Sequence, residues 1–192
     1  GGTGASVLSF VESSPTLFGV LGAHPQLGRA FDANDDGPGA PPVIVLSDGV
    51  WRQDFGGAPS VIGHQILLDG ELVAVIGVMP RGFFFPTPET RAWRPLRLDP
   101  ANAMYKVGYL TLVASAKPGA SPALVTGEAE RIAKLLGARF TYSDASSKTK
   151  SAHTIPIHTY LLGDVRTPLL LLLGAVGLLF LIACANAAAL IL

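Results

Sequence analysis

Pro168 to Leu192, PLLLLLGAVGLLFLIACANAAALIL, runs for twenty-five residues without a charge, and Asn186 is its only strongly polar side chain. At 1.5 Å rise per residue such a helix is roughly 37 Å long, enough to cross a hydrocarbon core of about 30 Å with some tilt. A core helix of a soluble protein keeps a polar face and seldom carries more than about 14 apolar residues in a row. A secretory leader is excluded by position, because the run follows a full globular region. The sequence therefore predicts a transmembrane helix over 168–192, with residues 1–163 on one side of a bilayer.

The chain starts at Gly1 without a methionine and stops at Leu192 inside the apolar run, so a piece of a longer polypeptide is expected. Mean hydropathy is +0.43, partly owing to the apolar run. Net charge is zero. The first hundred residues hold 10 Asp+Glu against 6 Lys+Arg, and the remainder 4 against 8. A nucleic-acid surface shows a clustered basic excess, so that class of partner is not expected. The one cysteine, Cys184, lies in the apolar run, which leaves no disulfide within the chain and the redox compartment open.

Ahead of the apolar run, ASVLSFVES (Ala5–Ser13) reads as a strand. Ser14-Pro15 then starts a short helix that Gly22 ends. Phe31–Pro42 reads as a solvated acidic loop with Asp32, Asp35 and Asp36. Val43–Leu46 is a four-residue apolar run, hence a buried strand. Ser47 caps a helix, DGVWRQDF, closed by Gly56-Gly57. Asp69-Gly70 between Ile66–Leu68 and Leu72–Val78 predicts a hairpin with a type I′ turn. Met79–Glu89 is a proline-broken loop, Ala92–Leu98 a short edge strand, and Tyr109–Ala116 a further strand. A helix runs from Ser121-Pro122 to Gly137, with Val125, Ala129, Ile132 and Leu136 as its apolar stripe and Glu130–Lys134 as an i,i+4 pair. Phe140–Ala152 is a polar connector, and a last strand is expected over His153–Leu161. This order predicts an α+β fold of two lobes, the outer β-rich lobe (about 64–103) inserted in the one nearer the membrane.

Signals for chemistry are sparse. A phosphate loop ends in Gly-Lys-Ser/Thr; the nearest glycine cluster, Gly56-Gly57-Ala58-Pro59-Ser60, has no lysine and reads as a helix-ending turn. His24, His64, His153 and His158 lack metal-ligand spacing, and a strand would put the last two on opposite faces. Ser47 stands between strand and helix without the Gly-x-Ser-x-Gly elbow, and capping explains it. Asp35-Asp36 reads as solvation rather than a calcium site. No catalytic, cofactor-binding or metal-binding residue is expected. Two interaction features remain. Phe83, Phe84 and Phe85 are either core filler beneath a loop or a contact patch for a partner protein. In the apolar run, Ala183 with Ala187 and Cys184 with Ala188 place small residues four apart, and Asn186 can hydrogen-bond across a helix contact, which suits packing against other spans.

Several stretches in order resemble one family. SPTLFGVLGAHPQLGRAF (Ser14–Phe31), APPVIVLSDGVWRQDFGG (Ala40–Gly57), PSVIGHQILLDG (Pro59–Gly70) and VAVIGVMPRGF (Val73–Phe83) resemble the extracytoplasmic core domain of MacB-type ABC transporter permeases. GDVRTPLLLLLGAVGLLFLIACANAAAL (Gly163–Leu190) resembles the start of the FtsX-like permease span that follows it. Within that family the chain resembles the acidobacterial-type duplicated orphan permeases, which often lack a fused ATPase. One departure stands out: a second asparagine common near Ala189 is missing, and only Asn186 remains.

The resemblance implies a MacB-like periplasmic core domain over 1–163, with a porter-like α/β lobe and an inserted β lobe, followed by a truncated FtsX-like span over 168–192. It implies a bacterial inner (cytoplasmic) membrane protein whose residues 1–163 are extracytoplasmic, with another span upstream of Gly1 and more after Leu192. The implied function is that of a permease subunit coupling a separate ABC ATPase, acting in trans, to an export-type or mechanotransmission task. Other permease spans or a second permease copy, membrane lipid and a periplasmic protein are the implied partners, and ATP hydrolysis would reside in the separate subunit. A membrane-anchored periplasmic interaction module without transport activity is the alternative.

Overall fold

The computed structural model describes residues 8–97, 111–139, 152–163 and 166–191, with side chains described for all of these except 136–139, 162, 166–167, 185 and 187–191. The chain divides into two units, 1–154 and 155–192.

The first unit is built on one six-stranded mixed sheet. Its strands are β1 (Phe10–Ser13), β2 (Leu27–Gly28), β3 (Val43–Leu46), β4 (Gln65–Leu68), β5 (Glu71–Val78) and β6 (Ala92–Pro95), in the order β1-β6-β3-β5-β2 with β4 also on β5. β1 runs parallel to β6 and β3 parallel to β5, while β6–β3, β2–β5 and β4–β5 are antiparallel. The strands expected as a separate inserted lobe over 64–103 thus hydrogen-bond directly to β1, β2 and β3, and among the described residues they share one sheet with them. The fold is mixed α/β.

β3 shows why an uninterrupted apolar run belongs here. Ile44 and Leu46 enter one core with Val50, Val61, Leu68, Val73 and Val75, whereas Val43 and Val45 enter a second core with Phe18, Phe31, Met79 and Trp93. Alternate residues point to opposite faces, so a strand covered on both sides has no polar positions. The first face is covered by α2 (Asp48–Phe55) and the 3-10 turn Pro59–Val61. The second is covered by α1 (Leu17–Val20) and the loop after β5.

Local chemistry accounts for the best-read elements. Ser47 has extended backbone, its Oγ accepts from the Val50 amide at 3.3 Å, and Gly56 closes α2 in the left-handed conformation at φ 62°. At the hairpin tip, Asp69 (φ 50°) and Gly70 (φ 84°) are both left-handed, as a type I′ turn requires.

Other expectations are corrected. The start of α1 is at Thr16, which makes no side-chain cap; the carbonyl of Ser14 accepts from the Leu17 amide instead. β6 is not an edge strand: it lies between β1 and β3 through Ala92 and Trp93, and Arg94 and Pro95, the latter with no N–H to give, extend beyond the β3 pairing. Tyr109 and Leu110 lie outside the described residues, and 111–116 forms no strand; Leu112 is exposed and Val113 packs on the aromatic core. α3 spans Pro122–Arg139, past Gly137, and its ion pair is Glu128–Arg131 rather than Glu130–Lys134. Val125 and Ala129 are half-buried as expected, but Ile132 is exposed.

In the second unit the strand expected over His153–Leu161 is a helix, α4 (Ile157–Leu162), entered from Pro156, whose carbonyl accepts from the Thr159 and Tyr160 amides. The β-branched residues around it suggested a strand, yet a proline removes a ladder donor and suits a helix entrance. α5 covers Arg166–Ile191, 26 residues. Its side chains are exposed at Leu169–Leu173, Val176 and Leu178–Ile182. The continuously described apolar side chains run from Pro168 to Cys184, roughly 26 Å of helix against a hydrocarbon core of about 30 Å. Among the described residues no helix is long and apolar enough to cross a membrane.

Candidate functional site

The loop after β5 carries the three phenylalanines, and the fold treats them differently. Met79 is buried and its amide donates to the Leu46 carbonyl at 2.8 Å, which holds the loop on the second face of the sheet. The chain turns at Pro80, where the carbonyl accepts from the Phe83 amide at 3.1 Å. Phe83 then packs on Trp93 (centroids 5.3 Å apart) and Phe18 (5.9 Å). Phe18 in turn meets Phe31 at 5.5 Å and the edge of Trp93 at 5.9 Å. Phe85 is buried, and its carbonyl accepts from Trp93 Nε1 at 2.8 Å. Trp93 is fully enclosed, so this bond satisfies its one donor. Phe84, between the two, is 54% exposed. Two of the three residues are core, and the expected contact patch reduces to Phe84.

Two polar clusters flank this aromatic core. Asp35 is almost fully buried and accepts from Arg29 through both oxygens, with Nη2 to Oδ1 at 2.9 Å; Oδ2 also accepts from the Asp32 amide at 2.8 Å. The hydrogen bond from Arg29 outweighs burial and holds the Asp35 carboxyl below its ordinary value. Asp36 Oδ1 accepts from the amides of Gly37 (3.0 Å) and Arg97 (2.8 Å). The loop expected to be solvated therefore turns these two acids inward. A shallow, open depression beside it is floored by Phe31 and rimmed by Thr16, Asp32 and Asp36.

On the other side, Asp48 at the start of α2 accepts from Arg52 Nε at 2.9 and 3.0 Å and from Gln26 Nε2 at 2.8 Å. Gln26 also donates to the Met79 carbonyl at 2.9 Å. The Arg52 bond first, and the Gln26 bond second, lower the Asp48 pKa. Both clusters consist of acids already satisfied by cations or amides. Such ties can fix the loops that carry them.

Of the histidines, His64 packs edge-on to Phe55 at 5.7 Å, and its backbone carbonyl accepts from the Val75 amide at 2.9 Å. Among the described residues no group of three or more His, Cys, Asp or Glu is placed to hold a metal ion. Ser47 is occupied as a cap, and Ala58–Ser60 lead into the 3-10 turn rather than a phosphate loop. On α5, Cys184, Ala183 and Asn186 are exposed, and the side chains of Ala187 and Ala188 lie outside the described ones.

Sequence reasoning missed one feature that positions the whole loop system. β2 crosses β5 so closely that a Cβ on Gly28 would lie 2.2 Å from the Ile76 oxygen, and one on Gly77 would lie 2.3 Å from the Arg29 oxygen. Both glycines are needed to bring Gln26 and Arg29 to their acids. A glycine inside an otherwise apolar strand, as at Gly77, is the signal that could have found it.

The comparisons with known proteins bear on the first unit. No curated protein matches the chain. Among solved structures, the periplasmic region of MacB from Actinobacillus actinomycetemcomitans matches at 14% identity with a TM-score of 0.47, over 66% of this chain and 56% of that one. The chain thus spans a little over half the length of that relative, and the likeness carries no weight beside the family match. A family model described as the MacB-like periplasmic core domain matches residues 1–132. On that match, which spans the sheet, both polar clusters and the start of α3, the chain belongs to the MacB-like periplasmic core domain family of ABC transporter permeases.

Proposed function

We propose that this chain is part of a permease subunit in the bacterial inner membrane, in which residues 1–163 are extracytoplasmic and α5 begins the membrane-spanning region. In this reading a separate ABC ATPase acts in trans, and its cycle is transmitted to the extracytoplasmic domain for an export-type or mechanotransmission task. The observation that carries the reading is the join between the family match and α5. A domain of the MacB-like periplasmic type is followed by a 26-residue helix with exposed apolar side chains at Leu169 to Leu173 and Leu178 to Ile182. Five consecutive residues occupy every side of a helix at 100° per residue, so the apolar surface encircles it. Water is a poor solvent for such a surface, whereas lipid and neighbouring spans are good ones. Asn186 on the same helix would then face another span, from this permease or a second copy, rather than lipid.

The satisfied acids and the enclosed aromatic core support a mechanical or binding role for the first unit rather than a chemical one. The test uses the protein in its own membrane, with Cys184→Ala and a single cysteine at exposed Lys117. A membrane-impermeant maleimide should label that cysteine in intact spheroplasts, and the purified protein should bring an ATP-hydrolysing subunit with it. Labelling only after lysis would overturn the topology. Correct topology without any accompanying ATPase would leave a membrane-anchored interaction module as the function.

A further inference from the structure

α4 is a six-residue helix with an uneven circumference. Ile157, Tyr160 and Leu161 fall within about 100° of one another, at i, i+3 and i+4, and all three are exposed. Thr159 projects on the opposite side. Ile155, just before the helix, is exposed as well. A stripe of this kind on so short a helix has little affinity for anything when free. Its position in the chain changes that. Only residues 163–165 separate α4 from α5, and at 3.3–3.6 Å per residue the end of α4 lies within about 14 Å of the start of α5.

From this we infer that α4 is an interfacial helix, whose Ile157–Tyr160–Leu161 stripe lies in the headgroup–acyl boundary of the membrane beside the mouth of the span. The inference rests on the proposed reading of α5 as a span. If α5 crosses the bilayer, its N-terminal end marks the level where the helix leaves the hydrocarbon, and the tether holds α4 at that level whether or not it has affinity of its own. Binding is then intramolecular, and a weak apolar stripe suffices. The residue types suit the boundary: two aliphatic side chains to enter it and a tyrosine, which favours headgroup depth with its ring buried and its hydroxyl wet. Gly163, left-handed at φ 62°, breaks the helix between α4 and α5, so that the two need not be collinear. The occupant of the stripe is the lipid surface itself, not a protein.

The experiment reads depth. The full chain with Cys184→Ala is reconstituted into lipid bilayers and spin-labelled singly at Ile157→Cys, Thr159→Cys, Tyr160→Cys, Leu161→Cys and Val176→Cys. Accessibility to oxygen, which concentrates in lipid, is compared with accessibility to a water-soluble nickel chelate. Positions 157, 160 and 161 should show an oxygen-to-nickel ratio several-fold above that at 159, with 176 higher still. If 157, 160 and 161 match 159 while 176 remains in lipid, α4 is in water and the inference fails with the span intact. If those three are shielded from both reagents, protein covers the stripe and the inference also fails. Nickel access at 176 would remove the span and the inference together.

Discussion

Gly77→Ala should be a severely damaging single-methyl change in the sheet, and the structure gives its size. A Cβ at Gly77 would sit 2.3 Å from the Arg29 carbonyl oxygen, a contact that real Cβ atoms do not make below 3.0 Å. Both atoms belong to, or hang rigidly from, backbone, so no rotamer relieves the clash. β2 and β5 must therefore part by at least about 0.7 Å. The ladder bonds there, Arg29 N to Ile76 O at 2.9 Å and Gln26 N to Val78 O at 2.8 Å, would then stretch beyond useful length. At about 0.5–1.5 kcal/mol each, with Gln26 also drawn away from Asp48 and the Met79 carbonyl, the cost is about 2–4 kcal/mol. For a chain of this size that is a fall in Tm of roughly 5–15 °C. Thermal unfolding read by tryptophan fluorescence, together with amide exchange at Gln26 and Arg29, measures it. Gly19→Ala is the control, because that glycine lies in α1 with nothing within 4 Å of the new methyl, and it should be neutral or slightly stabilising. A Gly77→Ala protein that melts within 2 °C of the parent, with both amides still protected, would refute the close-crossing argument.

Gly70→Val should cost about 1–2 kcal/mol, chiefly through torsional strain, since φ is 84° and a Cβ there meets nothing within 4 Å; an unchanged melting temperature would count against the type I′ turn. Asp35→Asn should cost about 1–3 kcal/mol near neutral pH, as a charge-assisted pair becomes a neutral one. The Asp35 carboxyl is depressed below its ordinary 3.8, so its contribution is full above that value and disappears as pH falls through the lower folded value. The melting difference between the two proteins should accordingly be constant from about pH 5 to 8 and narrow below about pH 4; a difference that grows on acidification would reverse the assignment.

Elements governed by nearest neighbours were legible in the sequence. Ser47, the octapeptide DGVWRQDF and Gly56 fix α2 at both ends, and Asp69-Gly70 fixes the hairpin register, with Leu68 facing Glu71. The four apolar residues of β3 announced burial on two faces. Illegible were the features decided by partners far along the chain. β6 is short, with an arginine and a proline among four residues, so it read as an edge. It becomes interior because Trp93 fills the aromatic core and because Arg94 pairs with Glu71 at 2.9 Å and lies over the Phe10 ring. The second lobe is what the order of elements suggests, with a run of strands from Gln65 between two strand–helix stretches. Period reports local conformation, however, and not which sheet a strand joins. The triple phenylalanine was ambiguous for the same reason: alternation assigns Phe83 and Phe85 to one face and Phe84 to the other, but only the fold says which face is covered.

The acidic first half of the chain had an equally non-local explanation. Of its surplus of carboxylates, four are turned to internal use. Asp35 holds Arg29 and the Asp32 amide, and Asp48 holds Arg52 and Gln26. Asp36 holds the Arg97 amide, and Glu71 receives both Arg94 and Arg97. Arg97 is itself left-handed at φ 48°, uncommon for a residue with a side chain. It is kept there by Asp36, by Glu71 and by the Ala40 carbonyl at 2.8 Å. The acids thus act as ties between loops that lie up to 61 residues apart, and exposed charge is a poor guide to what the first unit binds. In the second unit, exposed apolar side chains run along α4 and α5, at Ile157, Tyr160, Leu161, Leu169–Leu173 and Leu178–Ile182. If α5 spans the bilayer as proposed, lipid and companion spans are the surroundings that surface requires.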